Sequence, residues 1–503
     1  MPTIPPRDLT QSERPPAVDA PVDEPRPRSD DRLARFTRIV LPAVVYAGLL
    51  AVLVQAAALP LYNTDTYFHL RFGSEFLHGW SLTHPGSVST FATSPWLPTQ
   101  WLPEVVMAKT EQWFGLAGVA WLSGAQMVLL LTSLYVVARR WADPLVAVLL
   151  TIAALVASSD GLSMRPQVLS YVLVVVTAGA WLRTRDDGRI RWWLVPLTWV
   201  WAMVHGMWPI GIGLGVVAVA GMAADRALPR RDLGRAALVP LLSAVVAALT
   251  PVGPGLYGAV LGVGSRSRFF SEWGSPSFHS PSCISLALML ALAVVLMARH
   301  GRVRWLDVLL LLVAGACAVW SWRTVPVAAM VMVPLAAVQV SLTPRARLRP
   351  SPVLGRRELC LLAAGAALAL GALALAVPHT SDAPPPQPSW EDPALSALPA
   401  GTKVVDEWDW GGYLMWRYPQ LDLLMHGYGD TFTIAELQRN TDIQALSPGW
   451  DTELRATGCT IAVLRSTSRL AYALEHQEHW QVLHRSSTTV ELLAPAGWAS
   501  GTG

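Results

Sequence analysis

Charged residues are scarce in this chain of 503 residues. Asp, Glu, Lys and Arg make up 15% of it, against about 25% in soluble domains. Hydrophobic residues make up 52%, so the composition argues against an ordinary soluble protein and predicts a membrane protein. The net charge of +3 is too small to indicate binding to nucleic acid. Lysine occurs only at positions 109 and 403, so arginine supplies nearly all basic groups.

Cysteine patterns and nucleotide motifs are missing as well. The chain has four cysteines, and their spacing offers neither a plausible disulfide pair nor a CxxC metal motif. Gly411 and Gly412 follow a strand-like run, but no GxGxxG sequence is present, which argues against a dinucleotide site. No signal peptide precedes the first apolar run, and we expect that run to act as the uncleaved insertion signal.

Long apolar runs, by contrast, are abundant. A helix that crosses a bilayer needs about 20 apolar residues, and about eleven runs approach this length. They lie at 38–58, 117–138, 143–159, 166–182, 192–205, 207–224, 236–250, 281–298, 305–321, 324–342 and 359–377. The run at 192–205 is short, and we expect it to be broken or tilted. The sequence therefore predicts a polytopic α-helical membrane protein with about eleven transmembrane helices.

The placement of arginine predicts the orientation, because cytoplasmic loops are enriched in Lys and Arg. With the N-terminus inside, every loop that falls on the cytoplasmic side is basic. These loops are 139–140, 183–191, 226–235, 299–304 and 343–358. The loop 59–116, the segment 251–280 and the residues after about 378 are then expected outside.

The composition divides the chain into four regions. Residues 1–35 are rich in Pro, Asp, Glu and Arg and are expected to form a disordered cytoplasmic tail. Residues 36–378 form the multi-span domain, and the Pro-rich segment 379–390 (HTSDAPPPQPSW) is a semi-rigid linker. Over 391–497, strand-like runs, including DLLMHGYGD, alternate with helical ones, which predicts a small extracytoplasmic α/β domain. This domain is better interpreted as a docking or lid domain than as a catalytic one.

The loop 59–116 is long for a membrane connector, and long loops are commonly functional. Two amphipathic stretches, DTYFHLRFGSEFLHGW and WLPTQWLPEVVMAKTEQWFG, predict two helices that lie in the membrane interface. Asp65 opens the first helix, and a charge so close to the bilayer usually serves a purpose. An alternative is that Asp65 only caps the helix. His69 lies on the same helical face, where it either orients the Asp65 carboxylate or packs, and Glu104 lies in the second stretch.

Other polar residues cluster at the outer ends of the apolar runs. Arg165 and Arg323 oppose the positive-inside bias; one interpretation is that they bind phosphate, which the guanidinium group matches in a bidentate way. The alternative is pairing with lipid headgroups. Glu272 lies in the aromatic segment FFSEWGSPSF. His205 separates two apolar runs, either facing a cavity or hydrogen-bonded within the bundle.

The order of these motifs resembles one known group of proteins. D-T-Y-F-H-L-R-F-G is followed by W-L-P-T-Q-W-L-P-E, M-R-P-Q, W-V-W-A-M-V-H-G-M-W, T-P-V-G, S-E-W-G-S-P and W-R-T-V-P, and D-E-W-D-W-G-G-Y-L-M-W-R-Y-P lies in the C-terminal region. This series is similar to bacterial multi-span members of the GT-C glycosyltransferase superfamily. The resemblance implies a bacterial plasma-membrane protein with a polyprenyl-phosphate sugar as donor, used at the outer face.

In that group a catalytic acidic residue lies in the first outer loop, and Asp65 matches it. Many members carry a paired acidic motif there, whereas this chain has N-T-D-T, so metal dependence does not follow. No separate cofactor is expected, because the lipid-linked donor carries its own leaving group. The segment H-G-Y-G-D (426–430) does not match the group's pattern, so no site is carried over to the C-terminal domain.

The resulting hypothesis is inverting sugar transfer to an acceptor hydroxyl on a glycan, lipid or protein. Asp65 would be the general base, and Arg165 and Arg323 would hold the phosphate. Four weaker candidates for substrate contacts are His205, Glu104, Glu272 and His69. The partners are thus the lipid-linked sugar, membrane lipids and the acceptor, with no nucleic acid.

Two alternatives remain. One is a transporter or flippase of a lipid-linked solute, although no internal repeat of the kind common in transporters is evident. The other is a non-catalytic envelope scaffold with a GT-C-like fold.

Overall fold

The computed structural model describes residues 40–59, 61, 63–301, 304–344, 346, 354–377 and 393–498, together with Thr3. The predicted tail 1–35 and linker 379–390 lie outside the described residues. The described part forms a helical bundle, with a small α/β unit packed against one of its ends.

The helices before the α/β unit are named in chain order. They are α1 (Leu41–Ala57), α2 (Asp65–Leu77), α3 (Trp101–Ala138), α4 (Pro144–Ala157), α5 (Gln167–Asp187), α6 (Leu194–Val204), α7 (Trp208–Ala224), α8 (Arg230–Ala247), α9 (Gly255–Arg266), α10 (Pro281–His300), α11 (Trp305–Trp320), α12 (Val325–Ser341) and α13 (Arg356–Ala376). Helices α3, α5, α10, α13 and α12 with its preceding turn are long and apolar enough to cross a membrane. The apolar helices α1, α4, α6, α7 and α11 are shorter. The predicted polytopic helical architecture is confirmed.

Helix α12 occupies the centre of the bundle. Every residue from Val325 to Gln339 is buried, and the helix packs against α4, α5, α10 and α11. Its sequence is apolar on all sides, which is typical of a helix that is surrounded by apolar neighbours. Arg323 lies two residues before the start of this helix, in a 3-10 turn at Trp322–Thr324, so a fully buried helix anchors one of the predicted site residues.

Ion pairs join the helices at the end of the bundle that was predicted to be cytoplasmic. Arg139 at the end of α3 forms two hydrogen bonds with Glu358 of α13, each 2.7 Å long. Arg185 of α5 pairs with Asp307 of α11, whose other oxygen accepts a hydrogen bond of 2.9 Å from Gln339. Some of the arginines in these basic loops therefore form structural contacts between helices.

The two stretches predicted as interfacial helices are both helical. The second one ends where α3 is interrupted: Gly115 has non-helical dihedral angles, with φ at +63°, and divides α3 into a helix that begins at Trp101 and one that continues to Ala138. In the first stretch, the aromatic side chains of Tyr67, Phe68 and Phe72 are buried. These side chains face α3 and the α/β unit, so the amphipathic pattern of α2 reflects burial against protein.

The C-terminal unit contains five helices and five strands in the described residues. The helices are α14 (Pro393–Ala397), α15 (Gly411–Arg417), α16 (Ile434–Gln444), α17 (Trp450–Thr457) and α18 (Arg469–His476). The strands are β1 (Lys403–Asp406), β2 (Asp422–Leu423), β3 (Ile461–Arg465), β4 (Gln481–Arg485) and β5 (Thr489–Leu493). The sheet order is β2-β1-β3-β5-β4. Strand β1 is parallel to β2 and β3, whereas β5 is antiparallel to β3 and β4. The expected α/β layer is confirmed.

The strand predicted at DLLMHGYGD is absent over most of that run. The run DLLMHGYGD forms a ladder only at Asp422 and Leu423. Gly427 and Gly429 follow, and a short 3-10 turn at Gly429–Thr431 ends the segment. Beyond the ladder the chain passes close to α2, which brings Gly427 beside Asp65 at one end of the bundle.

Candidate active site

Asp65 is the first residue of α2, and it does not cap the helix. The N-cap is Thr64, and no side-chain capping hydrogen bond is present there. The Asp65 backbone N–H donates instead to the Asn63 side-chain oxygen, at 2.9 Å. The capping alternative is therefore wrong. An acidic residue in the first turn interacts favourably with the helix dipole, and the Asp65 carboxylate is left to contact other elements.

The Asp65 carboxylate belongs to a chain of alternating charges. Arg165 Nη2 lies 2.6 Å from Asp65 Oδ2, and Arg165 Nη1 also donates to Glu272. The other Glu272 oxygen accepts a hydrogen bond of 3.2 Å from Arg323. The sequence positions of these four residues span more than half the chain, and the fold brings them together. We call Asp65, Arg165, Glu272 and Arg323 the charge network, and the end of the bundle that carries it the site end.

Local contacts hold the members of the charge network in position. The Thr66 hydroxyl donates to the Met164 carbonyl over 2.9 Å, which fixes the start of α2 beside Arg165. The Trp322 N–H donates to the Gly274 carbonyl over 3.1 Å, which joins the Glu272 segment to the Arg323 turn. The Arg323 guanidinium also lies 5.4 Å from the centroid of the Trp273 ring, a favourable cation–π distance.

The network remains partly open to solvent. The side chains of Asp65, Arg165, Glu272 and Arg323 are 27%, 17%, 38% and 28% exposed. Burial raises the pKa of Asp65 above its ordinary value, although Arg165 opposes the shift; the charge of Glu272 adds to it. Burial also acts to raise the pKa of Glu272, but Arg165 and Arg323 outweigh it and lower that pKa. The two carboxyl groups are thus separated in acidity, a pattern typical of catalytic sites.

Arg165 has hydrogen-bonding capacity left. Its Nε is buried and has no partner among the described residues, although its two Nη atoms contact Asp65 and Glu272. An arginine carries five N–H donors, and buried donors are normally satisfied. This nitrogen is therefore a position at which a bound oxygen atom would find a donor.

His69 contacts Glu104 rather than Asp65, so of its two predicted alternatives, orienting the Asp65 carboxylate or packing, the structure favours packing. His69 Nδ1 lies 2.9 Å from Glu104 Oε1, and the two side chains are only 3% and 1% exposed. Burial lowers the pKa of His69 well below its ordinary value, and the charge of Arg165 adds to the effect. Gly73 permits the close approach of α2 and α3, since a Cβ there would lie 2.0 Å from the Glu104 carbonyl oxygen. Substrate contact by His69 or Glu104 stays a prediction.

His205 ends α6 and is buried. Its Nδ1 accepts a hydrogen bond of 3.3 Å from the Met207 N–H. The electrostatic influence of His205 and of both network arginines reaches His69, so the histidine lies near the charge network. Its local hydrogen bond agrees with the alternative of a histidine bonded within the bundle, and its role in substrate binding stays a prediction.

The C-terminal unit forms one wall of the site, which the sequence did not reveal. A Cβ on Gly427 would lie 3.4 Å from Asp65 Oδ1, and one on Gly412 would lie 2.3 Å from the Thr64 carbonyl oxygen. The Thr64 hydroxyl also donates to the Asp409 carbonyl. The motif H-G-Y-G-D therefore lies beside Asp65. Gly429 of this motif packs against the Phe270 ring, which an added Cβ would approach to 2.0 Å, so a glycine is needed there for close packing.

Asp430 is a further acidic residue at the site end that the sequence did not single out. Burial raises its pKa, and the charges of Arg266 and Arg323 oppose the shift. It lines a cavity of about 730 Å³ between the first loop, α9 and the C-terminal unit. Asp65, Arg165 and Arg323 do not line this cavity, so the charge network and the cavity are distinct features of the site end.

No group of three or more His, Cys, Asp or Glu side chains arranged to hold a metal ion occurs in the described ranges of the chain. The charge network contains two carboxylates, which the Arg165 side chain bridges.

No protein-family model matches the chain, and no curated protein matches it in sequence. Solved structures do match it. AglB, an oligosaccharyltransferase from Archaeoglobus fulgidus in complex with an inhibitory peptide and a dolichol-phosphate, aligns with a TM-score of 0.51 at 11% identity, over 88% of this chain and 71% of that chain.

Two further structures align similarly. The apo form of the oligosaccharyltransferase from Archaeoglobus fulgidus gives a TM-score of 0.51 at 12% identity, over 90% of this chain and 71% of that chain. ArnT from Cupriavidus metallidurans in the apo state gives 0.50 at 17% identity, over 91% of this chain and 98% of that chain. These are GT-C structures, so the GT-C-like fold implied by the sequence motifs is confirmed.

Proposed function

We propose that this protein is a membrane glycosyltransferase that moves a sugar from a polyprenyl-phosphate donor to an acceptor hydroxyl, with Asp65 as general base. The observation that carries the proposal is the charge network in a GT-C-like fold. It combines a carboxylate of raised pKa with two guanidinium groups at one end of a helical bundle. The fold alone does not specify a reaction; these groups do, because they combine a base with two phosphate-binding cations.

The donor phosphate would bind at Arg165 and Arg323. Guanidinium groups match phosphate oxygens and keep their charge at any physiological pH. Arg165 Nε has no partner among the described residues, and a phosphate oxygen would satisfy it. Glu272 pairs with both arginines, so it competes with the phosphate and keeps the two cations together before the donor binds. AglB, which shares the fold, is in complex with a dolichol-phosphate, and this supports a polyprenyl phosphate as the ligand.

The chemical step requires one proton transfer and one displacement. The acceptor hydroxyl would give its proton to the Asp65 carboxylate, and its oxygen would attack the anomeric carbon of the sugar. The bond between that carbon and the phosphate oxygen breaks, and the electron pair leaves with the phosphate, which Arg165 and Arg323 stabilise. A single displacement of this kind inverts the anomeric configuration. The raised pKa of Asp65 favours its role as a base, because a stronger base accepts the proton more readily.

The other residues of the site end would act on substrates indirectly. The pair of His69 and Glu104 is buried and would keep α2 and α3 in register, which supports the position of Asp65. The C-terminal unit contacts Thr64 and Asp65 and would act as a fixed wall of the site. We further propose the orientation predicted from arginine placement, with the site end and the C-terminal unit on the extracytoplasmic side.

The transport and scaffold alternatives require no bond formation, and one experiment separates them from transfer. The purified protein is reconstituted in liposomes with polyprenyl-phosphate sugars from its native membrane, and free polyprenyl phosphate is measured. The proposal expects its release in the presence of an acceptor extract, together with glycosylation of that extract. Movement of the intact lipid-linked sugar across the bilayer, without release of polyprenyl phosphate, would instead support a flippase.

A further inference from the structure

The cavity of about 730 Å³ at the site end is separate from the charge network. It is lined by two stretches of the first loop, 83–87 and 92–97, by one face of α9 and by Asp430 of the C-terminal unit. Its volume is within the range of about 300–1,000 Å³ that is typical of ligand sites. We call this cavity the loop groove.

The walls of the loop groove carry hydroxyl groups and one charge of each sign. Thr83, Thr93 and Ser94 contribute hydroxyls, while Arg266 and Asp430 contribute the charges. Such a lining offers both donors and acceptors and has no net formal charge. It favours a neutral ligand with many hydroxyl groups over a strongly charged one.

The two charged groups of the loop groove differ in how many of their hydrogen bonds are made within the protein. Arg266 Nε donates to the Phe432 carbonyl over 3.0 Å, and its Nη2 donates to Ser94 over 2.9 Å. The Arg266 side chain is thereby held rigidly between the first loop and the C-terminal unit. In the described part of the chain the Asp430 carboxylate has no hydrogen-bonding partner, so both of its oxygens are free to accept hydrogen bonds from adjacent hydroxyl groups of a ligand.

Small residues on α9 keep the loop groove open. A Cβ added at Gly258 would meet no atom within 4 Å, and one at Gly262 would meet only Arg266 Nη1, at 3.9 Å. The two glycines are four residues apart, so they share one face of the helix. Gly264 lies on the same helix, is exposed and also has free space around it, but it does not line the groove.

We propose that the loop groove binds a carbohydrate, which is the acceptor of the transfer reaction. The Asp430 carboxylate accepts hydrogen bonds from the hydroxyls of a sugar ring, Arg266 donates to a ring or hydroxyl oxygen through Nη1, and Trp96 lies at the wall. The assignment of the carbohydrate as acceptor rests on the proposed function; its binding in the groove does not.

The position of Asp430 connects the loop groove with the charge network. Arg323 influences both Asp65 and Asp430 electrostatically. Only two residues separate Asp430 from Gly427, which lies against Asp65 Oδ1. A glycan in the groove would therefore have its end close to the general base, which is the arrangement that a transfer to a sugar hydroxyl requires.

The test is direct binding to the full-length protein in nanodiscs. The probes are a set of neutral trisaccharides of hexoses and pentoses, with acetyl-Gly-Ser-Gly-amide as the peptide comparator. Gly258→Trp places a bulky ring in the groove from a position where an added Cβ meets no atom within 4 Å, and Gly264→Trp is the matched control on the same helix. Asp430→Asn removes the charge of the carboxylate. Thermal unfolding of each variant verifies that it is folded.

The proposal expects that at least one trisaccharide binds the wild-type protein and the Gly264→Trp variant equally well. It expects about tenfold weaker binding to Asp430→Asn, the loss typical of a hydrogen bond to a charged group, and at least as large a loss with Gly258→Trp. The proposal is overturned if no trisaccharide binds, if only the peptide binds, or if the folded Gly258→Trp variant binds trisaccharide as tightly as the wild-type protein does. If trisaccharides bind as expected and no sugar transfer occurs, the groove assignment stands and the proposed function fails.

Discussion

Arg165 Nη2 lies 2.6 Å from Asp65 Oδ2, so the guanidinium proposed to hold the donor phosphate is bonded to the carboxylate proposed to act as base. The same guanidinium also pairs with Glu272. A phosphate that binds Arg165 would thus be held directly beside the base. This contact links donor binding to the position of the carboxylate.

Asp65→Asn is expected to abolish sugar transfer while the protein remains folded and inserted in the membrane. The amide keeps the shape of the side chain but cannot accept the hydroxyl proton, and general-base assistance is typically worth about 10²–10⁴ in rate. Transfer is measured as released polyprenyl phosphate in liposomes. Glu75→Gln on the same helix removes a carboxylate that pairs with Arg71 and serves as the control, with near-normal activity expected. Full activity of Asp65→Asn would remove the base assignment.

Arg323→Ala is expected to weaken donor binding by about tenfold or more, the loss typical of a hydrogen bond to a charged partner. Binding of acceptor should change far less, because Arg323 contacts Glu272 and Trp273 rather than the loop groove. The dissociation constant for polyprenyl phosphate is measured in nanodiscs. Arg268→Ala, which removes an arginine that lies over Phe269, is the control. An unchanged affinity in Arg323→Ala would exclude Arg323 from the phosphate site.

Glu272→Gln is expected to shift the acidic limb of the rate profile to lower pH. A general base acts in its ionised form, so activity is present above the Asp65 pKa and is lost as the pH falls through it. Burial raises that pKa, and the charge of Glu272 raises it further. Removing this charge lowers the Asp65 pKa, so the acidic limb of the rate profile moves to lower pH.

The measurement is kcat/KM as a function of pH for the wild-type protein and Glu272→Gln, with Glu75→Gln as the control. The same substitution removes a competitor for the arginines, so donor binding should become tighter. A limb that stays in place or moves to higher pH would contradict the assignment of the limb to Asp65.

Gly412→Ala is expected to disturb the packing of the C-terminal unit on α2. The added Cβ would lie 2.3 Å from the Thr64 carbonyl oxygen, and overpacking of this kind costs about 1–3 kcal/mol. Gly315→Ala, where a Cβ meets no atom within 4 Å, is the control and should be tolerated.

Hydrogen exchange at α2 and α15 reports the packing directly. Faster exchange in both helices is expected in Gly412→Ala, together with reduced sugar transfer, because Gly427 approaches Asp65 from the same unit. Unchanged exchange and activity would mean that the C-terminal unit does not support the site.

Much of the architecture was predictable from the sequence, because membrane spans and alternating strands have local signals. Helix α12 is apolar on all sides and is central, and β1, β3 and β5 coincide with the β-branched runs. The sequence also predicts the amphipathic pattern of α2, but it does not predict which surface covers the apolar face of this helix. An apolar face can be covered by lipid or by protein, and only the fold shows that Tyr67 and Phe68 contact protein.

The sequence predicts which residues belong to the site, but it does not predict which of them contact each other. Asp65, Arg165, Glu272 and Arg323 stood out as charged groups near span ends, and the fold joins them in one network. The pairing of His69 with Glu104 and the position of Asp430 were not predictable, since each depends on how distant segments pack. Positions 104 and 430 belong to the first loop and the C-terminal unit, and no sequence period relates them.

The most direct test of the central claim is mass spectrometry of the Asp65→Asn protein purified with its native lipids. If Asp65 is the base and the arginines hold the donor, this variant still binds the donor and cannot consume it. The account therefore predicts an intact polyprenyl-phosphate sugar bound to Asp65→Asn, and less of it bound to Arg323→Ala. Recovery of phospholipid alone with folded Asp65→Asn and wild-type protein would contradict the account.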